Sequence, residues 1–498
     1  MKNLFLALAV AFTTATFAQV GTPDVIDVVQ NGEGNKVEYL QTSTFGSDGI
    51  VKQVGVSNDI DVVTQGNGAD YTITQSGRLN DITSKESGFR NNDAVLTQSG
   101  LSNDIVSLQY GRRNDLFVEQ AGKLSLVDVT NAGKNNIMTV NQTGERNRIE
   151  FSQIANNSFV EIFQRGYLNR LSGLQRGKVN DAYTYQLGSS NTSVLRQTGD
   201  AGFVSVFQRG TSNYSRLTQS GASNWAIASQ VGRSNYSELF QSGVSGNLEL
   251  VQQGSDNDAF GLQSGLDNVA YVYQNGDKNY AYVRQTNSNN FAGIFQYGLD
   301  GDVISEQFGY DGDVSVKQFG ERNLADLLQK GNANSLGQRN LIQVVQAGLN
   351  NKIYTTQDGV KVTTKIDQAG SFNAIRNTQY GQGDWFKALQ RGRKNGILSA
   401  QRGRLGTIVV DQAGVNNGIT LDQNVSWDGV PGEKATINVY QRGSDNTINA
   451  IQRGSTNSMN FTQFGSRNSI DAIQYGDTNN VMSVMQSGTR SSILIRQW

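Results

Sequence analysis

From about residue 30 onward, hydrophobic and polar positions alternate in short bursts of about six residues, and each burst runs into a glycine. Counted from the Asn that opens a burst, positions +2, +4 and +6 lie on one side of an extended chain, and +1, +3 and +5 on the other. After Asn224 the first set is Ala226, Ala228 and Gln230, and the second is Trp225, Ile227 and Ser229. After Asn268 the sets are Ala270, Val272, Gln274 and Val269, Tyr271, Tyr273; after Asn279 they are Ala281, Val283, Gln285 and Tyr280, Tyr282, Arg284. The first set is small or aliphatic, as in Val160 with Ile162 or Val204 with Val206, and the second is bulky, aromatic or charged. A period of two predicts strands, and a Gly every eleven residues disfavours helix. Two sheets close tightly over Ala, Val, Ser and Ile but not over Tyr, Trp and Arg, so the small set is expected to face inward.

The bursts form a repeat, Gln-x-Gly-x-x-Asn followed by about six residues. It reads Gln164-Arg-Gly-Tyr-Leu-Asn169, Gln175-Arg-Gly-Lys-Val-Asn180, Gln219-Ser-Gly-Ala-Ser-Asn224 and Gln463-Phe-Gly-Ser-Arg-Asn468. From Gln98 to Gln329 the Gln position recurs every eleventh residue, with Asn131 the one replacement; further runs span Gln346 to Gln423 and Gln441 to Gln474. Between Gln53 and Gln98 the spacing wanders by a residue, and Glu86 takes a Gln position. One strand and one turn per half-unit predict an all-β, two-sided parallel β-solenoid with rungs of about 22 residues stacked about 4.8 Å apart. The Gly two residues after Gln is expected to supply a positive φ at the turn. Residues 335–340 and 424–434 read as insertions that enlarge turns of one continuous array over 30–498, preceded by a short lead at 19–29.

Inward amides need partners, because a buried amide without one is costly. Stacked in register, each amide is expected to donate to its equivalent one rung away, forming Gln and Asn ladders. The positions singled out are Gln164, Asn169, Gln175, Asn180, Gln208, Asn213, Gln219, Asn224, Gln230, Asn235, Gln252 and Asn257. For Asn a second reading stays open, since Asn tolerates the left-handed region and could serve the turn alone. The same parity turns Phe203, Tyr214, Trp225, Tyr236, Tyr280 and Phe291 outward as a stripe. Such a stripe suits strand formation, lateral bundling or stacking on polysaccharide.

Composition narrows the chemistry. The only prolines are Pro23 and Pro431, which suits an unbroken ladder, since Pro cannot donate to one. His and Cys are absent, which excludes thiol nucleophiles, His-based triads, disulfides and His/Cys metal sites. A formal net charge of -1 with interspersed signs makes nucleic acid an unfavoured partner and permits self-association. Residues 1–18 read as a secretory signal: Lys2, the apolar Leu4 to Phe12, and Thr16-Phe17-Ala18 as the cleavage site. No apolar run is long enough for a membrane span, so a secreted chain is expected.

The pattern Gln-x-Gly-x-x-Asn-x-[small]-x-x-x-Gln is similar to the curlin repeat of bacterial curli fibre subunits, over nearly the whole chain after the signal. The resemblance implies an extracellular functional amyloid, exported and then polymerised end to end into biofilm matrix, with nucleator and secretion partners. It also implies that the pairs Gln208 with Asn213 and Gln230 with Asn235 are inward family residues. The chain departs from the pattern in carrying about four times as many full repeats. A separate Gly- and Asn-rich export segment is also missing, with only Gln19 to Val29 before the repeat.

Two other readings stand beside the fibre. A monomeric solenoid adhesin or stalk shares the fold and differs only in whether the ends are capped; a chain running straight into Gln497-Trp498 favours the polymer. A β-helix enzyme acting on polysaccharide needs converging carboxylates beside long loops, with a pocket expected at 424–434. Scattered Asp and Glu do not suggest one, and no catalytic residue or cofactor is expected. Asp300-Gly-Asp302 and Asp311-Gly-Asp313 look like calcium turns, but a spacing of eleven puts them at opposite edges of a rung, too far apart to share an ion.

Overall fold

The computed structural model describes residues 5–9, 14–19, 25–41, 48–66, 68–332, 339–425, 434–476 and 479–498. Every described element is a strand, and most strands are nine residues long. They fall into two compact units, residues 1–245 and 246–498. Each unit is a two-sided parallel β-solenoid.

In the first unit, alternate strands build opposite sheets. One sheet runs from Phe5–Ala9 and Val25–Glu33 to Phe203–Thr211 and Trp225–Arg233. The other runs from Thr14–Gln19 and Lys36–Gln41 to Tyr214–Ala222 and Tyr236–Val244. Each strand pairs with the strand two further on, so Phe203 lies against Trp225 and Gln208 against Gln230. Residues 5–9 and 14–19 pair with Val25–Glu33 and Lys36–Gln41, and all but Gln19 are residues the sequence assigns to a signal.

The second unit repeats the scheme, one sheet from Asn247–Ser255 to Val481–Thr489 and the other from Asp258–Leu266 to Ser492–Gln497. Within it, the step between stacked Gln residues grows from 22 to 28 at Gln318 and Gln346, and to 29 at Gln412 and Gln441. The ladder therefore resumes in register after the extra residues. Most of the two insertions, together with Trp427 and Pro431, lies outside the described residues.

Alternation of burial follows the parity of the sequence: Asn224, Ala226, Ala228 and Gln230 are buried, and Trp225 is exposed. One expectation is corrected. Aromatic rings do enter the core at Tyr39, Tyr71, Phe151, Phe386 and Phe461. For two of them the space comes from a Gly one rung away. Gly173 pairs with Phe151, and a Cβ built on Gly173 would lie 2.1 Å from that ring. Gly49 pairs with Tyr71, whose ring fills the same kind of gap. The core holds a fixed volume per pair of rungs, not a fixed side-chain size at each position.

Candidate functional site

The repeated contact between rungs begins at the turn. The Gly two residues after Gln has a positive φ, 130° at Gly166 and 112° at Gly177. A Cβ on Gly166 would lie 1.8 Å from the carbonyl oxygen of Gly188, so the backbones approach as closely as Gly alone allows. The residue before Asn is left-handed as well, with φ 55° at Leu168, 56° at Val179 and 57° at Ser212. Its N–H reaches the preceding rung, Leu168 donating to the Glu145 carbonyl at 3.0 Å and Val179 to Asn156 at 2.9 Å. That bond holds an ordinary side chain in a conformation it would otherwise avoid.

Asn itself is the clamp of this turn. Asn169 Nδ2 donates to the Arg165 carbonyl at 3.3 Å and to Gly188 one rung on at 2.9 Å, while its Oδ1 accepts the N–H of Asn191 at 3.0 Å. Asn180 does the same with Arg176, Gly199 and Gly202. Asn213, Asn224 and Asn257 reach Gly232, Gly243 and Gly276 at 3.1, 3.0 and 2.7 Å. Asn235 Nδ2 reaches Asn213 Oδ1 at 3.1 Å. Neither sequence reading of Asn describes this alone: the left-handed residue is its predecessor, and most of its bonds go to backbone.

Gln forms the amide-to-amide ladder. In the first unit, Nε2 of Gln164 donates to Oε1 of Gln186 at 2.7 Å, Gln186 to Gln208 at 2.8 Å and Gln208 to Gln230 at 2.9 Å. On the opposite sheet, Gln175 donates to Gln197 at 2.9 Å and Gln219 to Gln241 at 3.0 Å. In the second unit, Gln252 donates to Gln274 at 2.9 Å. The second amide hydrogen crosses the core: Gln208 donates to the Thr192 carbonyl at 3.0 Å and Gln230 to Tyr214 at 2.8 Å, on the facing sheet. One side chain thus ties a strand both to the next rung and to the opposite sheet.

Acids interrupt these ladders at two places. Glu86 stacks between Thr64 and Gln109, and Oε1 of Glu86 and of Gln109 have no hydrogen-bond partner. Burial, with the Asp93 and Asp70 charges behind it, pushes the Glu86 carboxyl up to about 9. Asp384 stands at an Asn position that sequence reasoning passed over, although Gln379-Tyr-Gly-Gln-Gly-Asp384 carries the motif. Its Oδ1 accepts the Gly406 N–H at 3.0 Å, and its Oδ2 has no partner. Oδ2 lies 2.7 Å from a Cβ built on Gly381, close to where Asn417 Nδ2 lies beside Gly414 (2.9 Å), so an acceptor occupies a donor's place. Burial pushes this carboxyl up to about 7, against the lowering effect of the Gly406 N–H.

The outward aromatics pack along the sheets. Phe203 stacks on Trp225 at 4.0 Å, with Tyr183 beside Phe203 at 5.5 Å. Tyr214 stacks on Tyr236 at 4.9 Å on the opposite sheet. In the second unit Tyr280 lies 5.8 Å from Phe260, and Phe291 lies 6.0 Å from Tyr271. Of the six aromatics singled out, Trp225 is exposed, at 45 %, while Phe203, Tyr214, Tyr236, Tyr280 and Phe291 are half-buried against neighbours.

The acidic turns are engaged elsewhere, Asp300 with Arg322 at 3.7 Å and Asp313 with Arg339 at 3.3 Å. Among the described residues, no group of three or more acidic side chains could hold a metal ion. Two open grooves, of about 660 and 470 Å³, lie on outer sheet faces of the second unit. The pocket expected at 424–434 falls largely outside the described residues.

Residues 90–122, 210–243 and 267–298 each match the family model of the curlin associated repeat. The chain carries the curlin associated repeat at these three stretches. The curlin repeat is a structural unit, not an enzymatic one, and points to an extracellular, curli-type protein with a structural or adhesive role. No curated protein matches the chain. The stretch 210–243 contains Asn213, Gln219, Asn224, Gln230 and Asn235, so the family signature there coincides with the clamps and ladders above.

Proposed function

We propose that the chain is the structural subunit of an extracellular, curli-like amyloid fibre. The observation that carries this reading is the sameness of the contact between rungs. Most rungs within a unit offer the next one the same Gln acceptor, the same Asn clamp and the same row of backbone groups, as at Gln164, Gln186 and Gln208, with Glu86 and Asp384 among the exceptions. A contact that is satisfied by any copy of the rung is also satisfied by a rung of another chain, which is the logic of a cross-β polymer.

Export belongs to the same proposal. Cleavage after Ala18 removes Phe5–Ala9 and most of Thr14–Gln19, and so bares the edges of Val25–Glu33 and Lys36–Gln41. Nucleator and secretion partners follow from the curli-type reading.

Electron microscopy of the purified, processed chain, with and without preformed seeds, tests the proposal. Seed-accelerated fibres of uniform width are expected. A population that stays as single particles at high concentration supports the monomeric adhesin instead.

A further inference from the structure

The groove of about 470 Å³ lies on the outer face of the second unit, across the strands Gly312–Glu321, Asn340–Leu349, Thr363–Ser371 and Trp385–Arg393. Lys365 and Lys387 are register partners there, with Gln343 next in the same row. Two ammonium groups on neighbouring strands, about 4.8 Å apart at the backbone, repel each other. Lys317 and Arg391 also line the groove, where Asp367 is the one carboxylate, so the lining carries four cations and one anion. Among the described residues none of the four cations has an ion-pair partner. Beside the row, Trp385 is exposed, and the Lys365 ammonium lies 5.9 Å from its ring centre.

We propose that this groove binds a linear polysaccharide bearing carboxylates. Three features select that chemistry. The stacked lysines provide unpaired positive charge at the spacing of the rungs. Trp385, Val345 and Leu389 offer apolar surface for the carbon faces of sugar rings. Gln343, Ser315 and Asp367 supply donors and acceptors for ring hydroxyls. A nucleic-acid duplex fits less well. It carries a charge about every 1.7 Å, far denser than the lysine row can match. The site resides in one chain and does not depend on whether the chain polymerises.

The test is binding of the full processed chain to polygalacturonate, with dextran as the neutral control and duplex DNA as competitor. Lys365→Gln with Lys387→Gln is expected to weaken polygalacturonate binding by about fivefold to tenfold, the sum of two exposed ionic contacts. Lys361→Gln with Lys394→Gln, an equal loss of charge at turns outside the groove, is expected to leave it unchanged. Arg391→Gln, at the groove's edge, gives a second reading should the double variant fold poorly, and is expected to weaken binding about twofold. Equal weakening by both double variants, unchanged binding by the groove variants, or stronger displacement by DNA than by free polygalacturonate would each overturn the assignment.

Discussion

Nε2 of Gln186 donates to Oε1 of Gln208 at 2.8 Å across a step of 22 residues, and Nε2 of Gln208 passes the bond on to Gln230 at 2.9 Å. Replacing Gln208 by Leu breaks the ladder on both sides. Gln186 keeps its bond to the Arg170 carbonyl at 3.0 Å, and Gln230 loses a donor to its Oε1. A destabilisation of about 2 kcal/mol is expected, because a buried acceptor left unpaired costs its full desolvation. The midpoint of urea unfolding measures it. An unchanged midpoint would mean that aliphatic packing alone sets the rung spacing.

One turn predicts two opposite signs. Gly177 has a φ of 112°, and a Cβ there would lie 1.7 Å from the Gly199 carbonyl oxygen. Gly177→Ala should therefore cost about 2 kcal/mol or more through strain and a displaced neighbour. Two residues on, Val179 is a β-branched residue at φ 56°, largely exposed. Val179→Gly should stabilise by about 0.5–1 kcal/mol, since the left-handed penalty is lifted. Thermal unfolding of the two variants should move in opposite directions.

These turns mark the limit of what the sequence reveals. Inward and outward faces are local: the alternation that puts Ala226 and Ala228 beside Gln230 is written within six residues, and burial follows it. The left-handed residue before Asn is not written there, because Leu168, Val179 and Ser212 share no chemistry that favours it. Stacking imposes that conformation from the neighbouring rung. Phe151 beside Gly173 is likewise invisible until the 22-residue register is known. The misfit of Asp384 is hidden for a simpler reason, since an Asp in place of Asn looks conservative in sequence although its Oδ2 lies where a donor belongs.

Stability should fall as pH rises. Both Asp384 and Glu86 hold their protons more tightly folded than unfolded, with folded values of about 7 and about 9 against ordinary values of 3.8 and 4.5. The folded state then binds the extra protons, so their contribution is complete below the ordinary carboxyl range. It is lost as pH climbs through about 7 for Asp384 and about 9 for Glu86. Asp384→Asn restores a donor to the clamp and should make the fall of the unfolding midpoint shallower between about pH 4 and pH 7, leaving the share due to Glu86. An equally steep profile in the variant would place the pH dependence elsewhere.

The aromatic rows offer a separate test of association between rods. Trp225 is exposed and stacked on Phe203 at 4.0 Å, and Tyr214 lies flat on Tyr236 at 4.9 Å. Trp225→Ser with Tyr214→Ser and Tyr236→Ser should leave single fibres intact and remove lateral bundles, as seen by electron microscopy. Normal bundling in the triple variant would reduce the rows to a strand-forming surface.

Fibre diffraction from aligned assemblies of the processed chain tests the central claim most directly. Stacking of rungs along the fibre predicts a meridional reflection near about 4.8 Å and an equatorial one near about 10 Å, from parallel strands perpendicular to the axis and two facing sheets. Assemblies whose 4.8 Å reflection lies on the equator, with rods packed side by side and no axial stacking of rungs, would contradict it.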